Sequence, residues 1–173
     1  VSLSALLTAV NEYVADALVN DCGVAAPTRQ LSYHGRIPFD QCCPDGFLST
    51  SWSDGNANGQ QPCAGMPTYN IEVRYVVCWS VPEGDAGGIV LTPEQDATWN
   101  NDALMLADVA DCVGRSLVRL TCDRQSTDPL DMGVLTQAGQ LSYLGVSPIV
   151  PLGGCAGVLW RLSAPVRSGP VIS

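Results

Sequence analysis

Tyr69–Val81, YNIEVRYVVCWSV, is the stretch on which the fold turns. Ile71, Val73, Tyr75, Val77, Trp79 and Val81 fall on one side of an extended chain, with Glu72 and Arg74 on the other. That period-two pattern is a strand with one face turned to a core. Val76 and Cys78 make the middle apolar on both sides, which predicts a central strand covered on both faces.

Upstream of this strand, Leu3, Leu6, Leu7, Val10, Tyr13, Val14, Ala17 and Leu18 recur at three- and four-residue spacing, the mark of an amphipathic helix. Ser2 or Ser4 is its predicted cap, and Gly23 lies just past its end. The segment is read as a structural helix and not as a secretory leader, because it has no basic opening and acidic residues interrupt it from Glu12. RQLSYHGRI, closed by Pro38, and Gly46–Trp52 then read as short strands joined by a Pro44-Asp45-Gly46 turn. Ser53–Pro67, rich in Gly, Asn and Pro, is predicted to be a long loop.

Downstream, TPEQ at Thr92–Gln95 carries a capping box with proline at the first helical position. Trp99, Ala103, Leu106, Ala110, Val113, Leu117 and Leu120 predict a helix that ends near Leu120–Cys122. Asp108 and Asp111 fall on its other face, with Arg115 four residues after Asp111. Residues 123–139 read as a polar linker. Gln140–Val166 reads as a hairpin turning at PLGG, and residues 167–173 as an extended tail. Helix, two or three strands, helix, two strands is the order of an α+β domain: a mainly antiparallel sheet packed by two amphipathic helices, one domain over 1–173.

Charged residues make up 14% of the chain against 46% hydrophobic, fewer than the roughly one quarter typical of soluble domains. So much apolar sequence with so little charge implies a surface covered by a partner subunit. The net charge is −9 and every basic residue is arginine. An acidic chain without a basic patch is not built to grip nucleic acid.

The sequence offers no nucleophile elbow, phosphate loop or calcium loop. Its single histidine, His34, has only Cys42 or Cys43 nearby in sequence as a partner for cysteine chemistry. There is no CxxC, and one histidine cannot complete a Cys/His zinc site. The chain is therefore read as non-enzymatic, with no cofactor or metal. Of its eight cysteines, Cys78 on a strand and Cys112 on a helix read as small hydrophobes. Cys42, Cys43 and Cys63 flank the long loop and are the candidates for one bridge closing it.

NIEVRYVVCWSVPEGD, WNNDALMLADVADCVGRSL and the closing GVLWRLSAPV follow the amphipathic N-terminal helix in an order that resembles the tail-terminator (tail-completion) proteins of long-tailed bacteriophages. The resemblance is one of element order over most of the chain. It implies a structural virion protein made in the host cytoplasm, forming a hexameric ring that caps the tail tube. Its partners are then further copies of itself, the tail tube protein and neck proteins, and DNA passes through the lumen without specific binding. In the ring, the arms Pro44–Trp52 and Ser147–Cys155 are expected to extend a neighbour's sheet edge, with Trp52 and Leu152 as the contact residues, and Asn56–Gln61 is expected to face an adjacent ring. Another head-to-tail connector or tail-tube-associated protein is the nearest alternative. A secreted, disulfide-stabilised binding module is the rival class.

Overall fold

The computed structural model describes residues 2–34, 42, 45–57, 67–79, 92–122, 141–152 and 154–166. Helix α1 spans Leu3–Asn20, and strands β1, β2 and β3 span Gln30–His34, Phe47–Ala57 and Pro67–Cys78. Helix α2 spans Pro93–Cys122, and the hairpin strands β4 and β5 span Ser142–Leu152 and Cys155–Pro165.

Both helices begin where the side chains say they should. The Ser2 hydroxyl accepts from the Ala5 N–H at 3.2 Å. At α2 the capping box is reciprocal: the Gln95 N–H donates to Thr92 Oγ1 at 3.3 Å, and the Thr92 N–H donates to Gln95 Oε1 at 2.9 Å. Gly23, at φ +65°, ends the first helix, and the Val24 N–H reaches back to the Leu18 carbonyl.

Among the described residues the strands form one mixed sheet in the order β1-β2-β3-β5-β4. β1 lies parallel to β2, and the other three pairings are antiparallel. The strand read as central is central. Both helices pack on one face, α1 over β1 and β2 and α2 over β4 and β5. Leu48, Ile71, Val73, Val158, Trp160 and Leu162 meet Leu6, Val10, Val14, Leu18, Val113 and Leu117 there in one core. Trp160 is fully buried and donates its indole N–H to the Ala110 carbonyl of α2 at 3.1 Å. Gly114 faces Tyr143: a Cβ there would stand 3.1 Å from the tyrosine oxygen, so the missing side chain lets helix and edge strand close up.

Two expectations are corrected. The loop expected over Ser53–Pro67 is strand at both ends: β2 continues to Ala57 and β3 starts at Pro67, with Asn56 paired to Thr68. A register shift between Trp52 and Asp54 marks a bulge, after which the polar ribbon is held by backbone pairing, which needs no apolar side chain. Residues 58–66 lie outside the described residues. The first strand is Gln30–His34, and residues 35–37 of the expected RQLSYHGRI lie outside the described residues. β4 runs through Pro151 to Leu152, so the turn is narrower than PLGG and uses Gly154 at φ +79°. The linker 123–139 and the tail 167–173 lie outside the described residues.

Candidate functional site

A groove of about 630 Å³ opens between the middle of α2 and the β4–β5 hairpin. Leu106, Ala107 and Ala110 form the helical wall, and Val146, Pro148 and Val158 the strand wall. Buried Trp79 closes one end, its ring edge-on to Trp99 with centroids 6.0 Å apart. Val146 is 43% exposed and Leu144, beside it on the same edge strand, 56%. Asp111 and Ser147 are the polar members of the lining. Such a surface takes up apolar side chains.

β4 is a sheet edge, but a blunted one. Pro148 and Pro151 carry no N–H, and the register shifts at Tyr143/Gly145 and Ile149/Leu152 break its line. These are devices that discourage a foreign strand from pairing along an edge. The groove beside the strand is therefore the better contact surface than its backbone. Tyr143, on the same strand, has its phenol pushed upward by burial and secondarily by the Asp111 carboxylate.

Trp52 sits in β2 with both neighbours occupied, His34 on one side and Ile71 on the other. Its half-buried ring meets Tyr69 edge-on at 5.9 Å. The backbone of that arm is thus used within the chain. Asn56 lies on the polar β2–β3 ribbon, and Leu152 at the hairpin end pairs with Cys155. Gln61 lies outside the described residues. Of the positions that are described, Trp52 and Asn56 lie along β2 and Leu152 at the end of β4, with β3 and β5 between them in the sheet order.

The cysteines depart most from the sequence reading. Cys112 does not serve as a small hydrophobe but is bridged to Cys22, joining α2 to the end of α1 with a Cα–Cα distance of 5.9 Å. Cys42 is bridged to Cys155 at a Cα–Cα distance of 5.8 Å, tying the segment before β2 to the hairpin and not closing the predicted loop. Cys78 is disulfide-bonded as well, again contrary to its reading as a hydrophobe. Cys43 and Cys63 lie outside the described residues, and Cys122 is free and exposed. With its sulfur committed to the bridge, Cys42 is no nucleophile for His34. Spacing gave no clue to either pairing, since each joins residues on separate elements.

On the face of the sheet away from the helices, Arg74 is 8% exposed. It donates to Ser51 Oγ at 3.0 Å and pairs with the Glu72 carboxylate. Arg161 approaches Glu72 at 3.9 Å and donates to Ser147 at 3.1 Å, so a polar row crosses four strands. Among the described residues no group of three His, Cys, Asp or Glu side chains is placed to hold a metal ion. No described helix is long and apolar enough to cross a membrane.

No protein-family model matches the chain, and no curated protein matches it.

Proposed function

We propose that this protein is a structural component of the head-tail junction of a long-tailed phage, a tail terminator that assembles into a ring through the groove between α2 and the β4–β5 hairpin. The observation that carries the proposal is that groove, apolar and open along a sheet edge blunted against strand pairing. The order helix, three strands, helix, hairpin supports it, being the order on which the likeness to tail terminators rests. In the ring, the apolar side chains of one copy fill the groove of the next, and a stable contact of this kind buries about 800 Å² per partner. Trp52, on β2, lies away from this groove, and in the ring the ribbon bearing Asn56 reaches an adjacent ring. The net charge of −9 suits a lumen past which DNA slides without adhering.

The bridges favour a second reading, a disulfide-stabilised binding module of an oxidising compartment. In the virion reading the same bridges close once the particle has left the reducing cytosol.

Light scattering with and without reductant separates the two, with Val146→Asp as the probe of the groove. The ring reading expects a discrete oligomer that survives reductant, and a Val146→Asp variant that is monomeric with an unchanged circular dichroism spectrum. A protein that is monomeric at every concentration and collapses on reduction overturns the ring and supports the module.

A further inference from the structure

The two bridges whose partners are described lie in opposite surroundings. Cys42 and Cys155 are 2% and 3% exposed, enclosed with Phe47 and Val76 in a small cluster of their own. Cys22 and Cys112 are half-buried and line an open cleft of about 510 Å³ between the end of α1 and the middle of α2. Thiol-disulfide exchange requires a thiolate to reach sulfur in line with the bond, so access decides which bridge opens.

We infer that Cys22–Cys112 is a redox-operated latch on the α1–α2 contact, opened by small thiols while Cys42–Cys155 stays closed. The inference stands apart from the proposed function and holds for a ring or a monomer. The thiolate of a small thiol attacks one cysteine sulfur, the protein S–S bond breaks, and the other cysteine leaves as thiolate. A second thiol then attacks the mixed disulfide. It releases the second cysteine and the oxidised small-molecule disulfide, so two electrons have passed from the thiols to the protein.

Opening does not dismantle the helix pair. Tyr13 still donates to the Ser116 carbonyl at 2.9 Å, and the Ser116 hydroxyl still meets the Asp21 carboxylate. What loses its covalent tether is the turn after α1, held to α2 from then on through the Asp21 carboxylate. The N–H groups of Asp21 and Cys22 donate to the Ala17 carbonyl there, and that of Val24 to the Leu18 carbonyl. The cleft also selects among reductants. Asp21, Asp108 and Asp111 outnumber Arg115 in its lining, so an anionic thiol meets repulsion that a cationic one does not.

The test is a titration of the intact oxidised protein with reductant, followed by alkylation, mass spectrometry and amide hydrogen exchange. Cys22 and Cys112 are expected to label at a reductant concentration about tenfold or more below that needed for Cys42 and Cys155. At that point the Asp21–Val24 amides lose protection while the β3 and β5 amides keep theirs. At equal thiolate concentration, cysteamine is expected to open the bridge about threefold or more faster than glutathione at low salt, a ratio that vanishes at high salt. A Cys22→Ser/Cys112→Ser variant reproduces the loss of protection without reductant. Labelling of all four cysteines together, labelling of Cys42 and Cys155 first, or unchanged protection at Asp21–Val24 after the bridge has opened overturns the latch.

Discussion

Beneath the helices, β2, β3 and β5 present Leu48, Ile71, Val73, Val158, Trp160 and Leu162, all buried in one continuous core. The opposite face of the same strands presents Ser49, Ser51, Glu72 and Arg74, with a small apolar group of Phe47, Val76 and Ile149 gathered around the Cys42–Cys155 bridge. Ser49, Ser51 and Arg74 are nonetheless as enclosed as many core residues. One face is held mainly by apolar burial, which is tolerant of detail and roughly proportional to area, with two hydrogen bonds set into it, Asn11 to Thr50 Oγ1 and Trp160 to the Ala110 carbonyl. The other holds Arg74 through specific partners, Ser51 and Glu72, on which a buried charge depends, while the enclosed Ser49 hydroxyl has no partner among the described residues. The same strand thus obeys two rules on its two sides, and they fail in different ways when residues are changed.

The largest effect should come from the helix-covered face. Trp160→Ala removes a fully buried side chain together with its hydrogen bond to Ala110. A loss of about 3–5 kcal/mol is expected from the cavity and the orphaned carbonyl, read from the midpoint of a denaturant titration. A loss below about 1 kcal/mol would mean that α2 settles onto the sheet without its largest anchor.

On the opposite face the informative experiment is a pair of variants. Glu72→Gln leaves the enclosed Arg74 guanidinium without its carboxylate, and about 2–3 kcal/mol of destabilisation is expected. Glu72→Leu combined with Arg74→Met replaces the pair by apolar side chains of similar volume and should stay within about 1 kcal/mol of the parent. If the double variant is as damaged as the single one, the row from Ser51 to Ser147 supplies net stability. The contrast drawn between the two faces then fails.

The faces also differ in how far the sequence reveals them. The alternation of Ile71, Val73 and Tyr75 and the helical spacing of Leu6, Val10, Val14, Val113 and Leu117 identify the core, because apolar periodicity is a local property. Caps at Ser2 and Thr92 are legible for the same reason: each partner lies three residues away. Glu72 and Arg74 read in sequence only as the polar side of the strand, and it is the neighbouring strands that supply the partners around Arg74. The β2–β3 ribbon past Trp52 was hidden because its Ser-Asp-Gly-Asn run pairs through the backbone and carries the composition of a loop. The bridges were hidden because Cys22 and Cys112 lie 90 residues apart, and Cys42 and Cys155 lie 113 apart. The groove is legible only in part. Leu106 and Ala110 belong to the helical pattern, but their distance from Val146 and Pro148 is a matter of topology.

The smallest effect sharpens the comparison from the alkaline side. Tyr75 stands on the helix-covered face, 5% exposed, and burial raises its phenol above the ordinary value near 10. Between the unfolded value and the raised folded one, the unfolded chain releases the proton and the native protein keeps it. Stability is then fully present below about pH 10 and falls as pH climbs through that window, by at most about 1.4 kcal/mol per pH unit for this one group. Tyr143 is shifted in the same direction, so Tyr75→Phe should flatten the decline without abolishing it. The measurement is urea unfolding from pH 9 to 11 in a Cys122→Ser background, which removes the free thiol found among the described residues and with it one route to reshuffled bridges. An identical slope in parent and variant would place the Tyr75 hydroxyl in contact with water. The helix-covered face would then be wet at the very strand from which the fold was read.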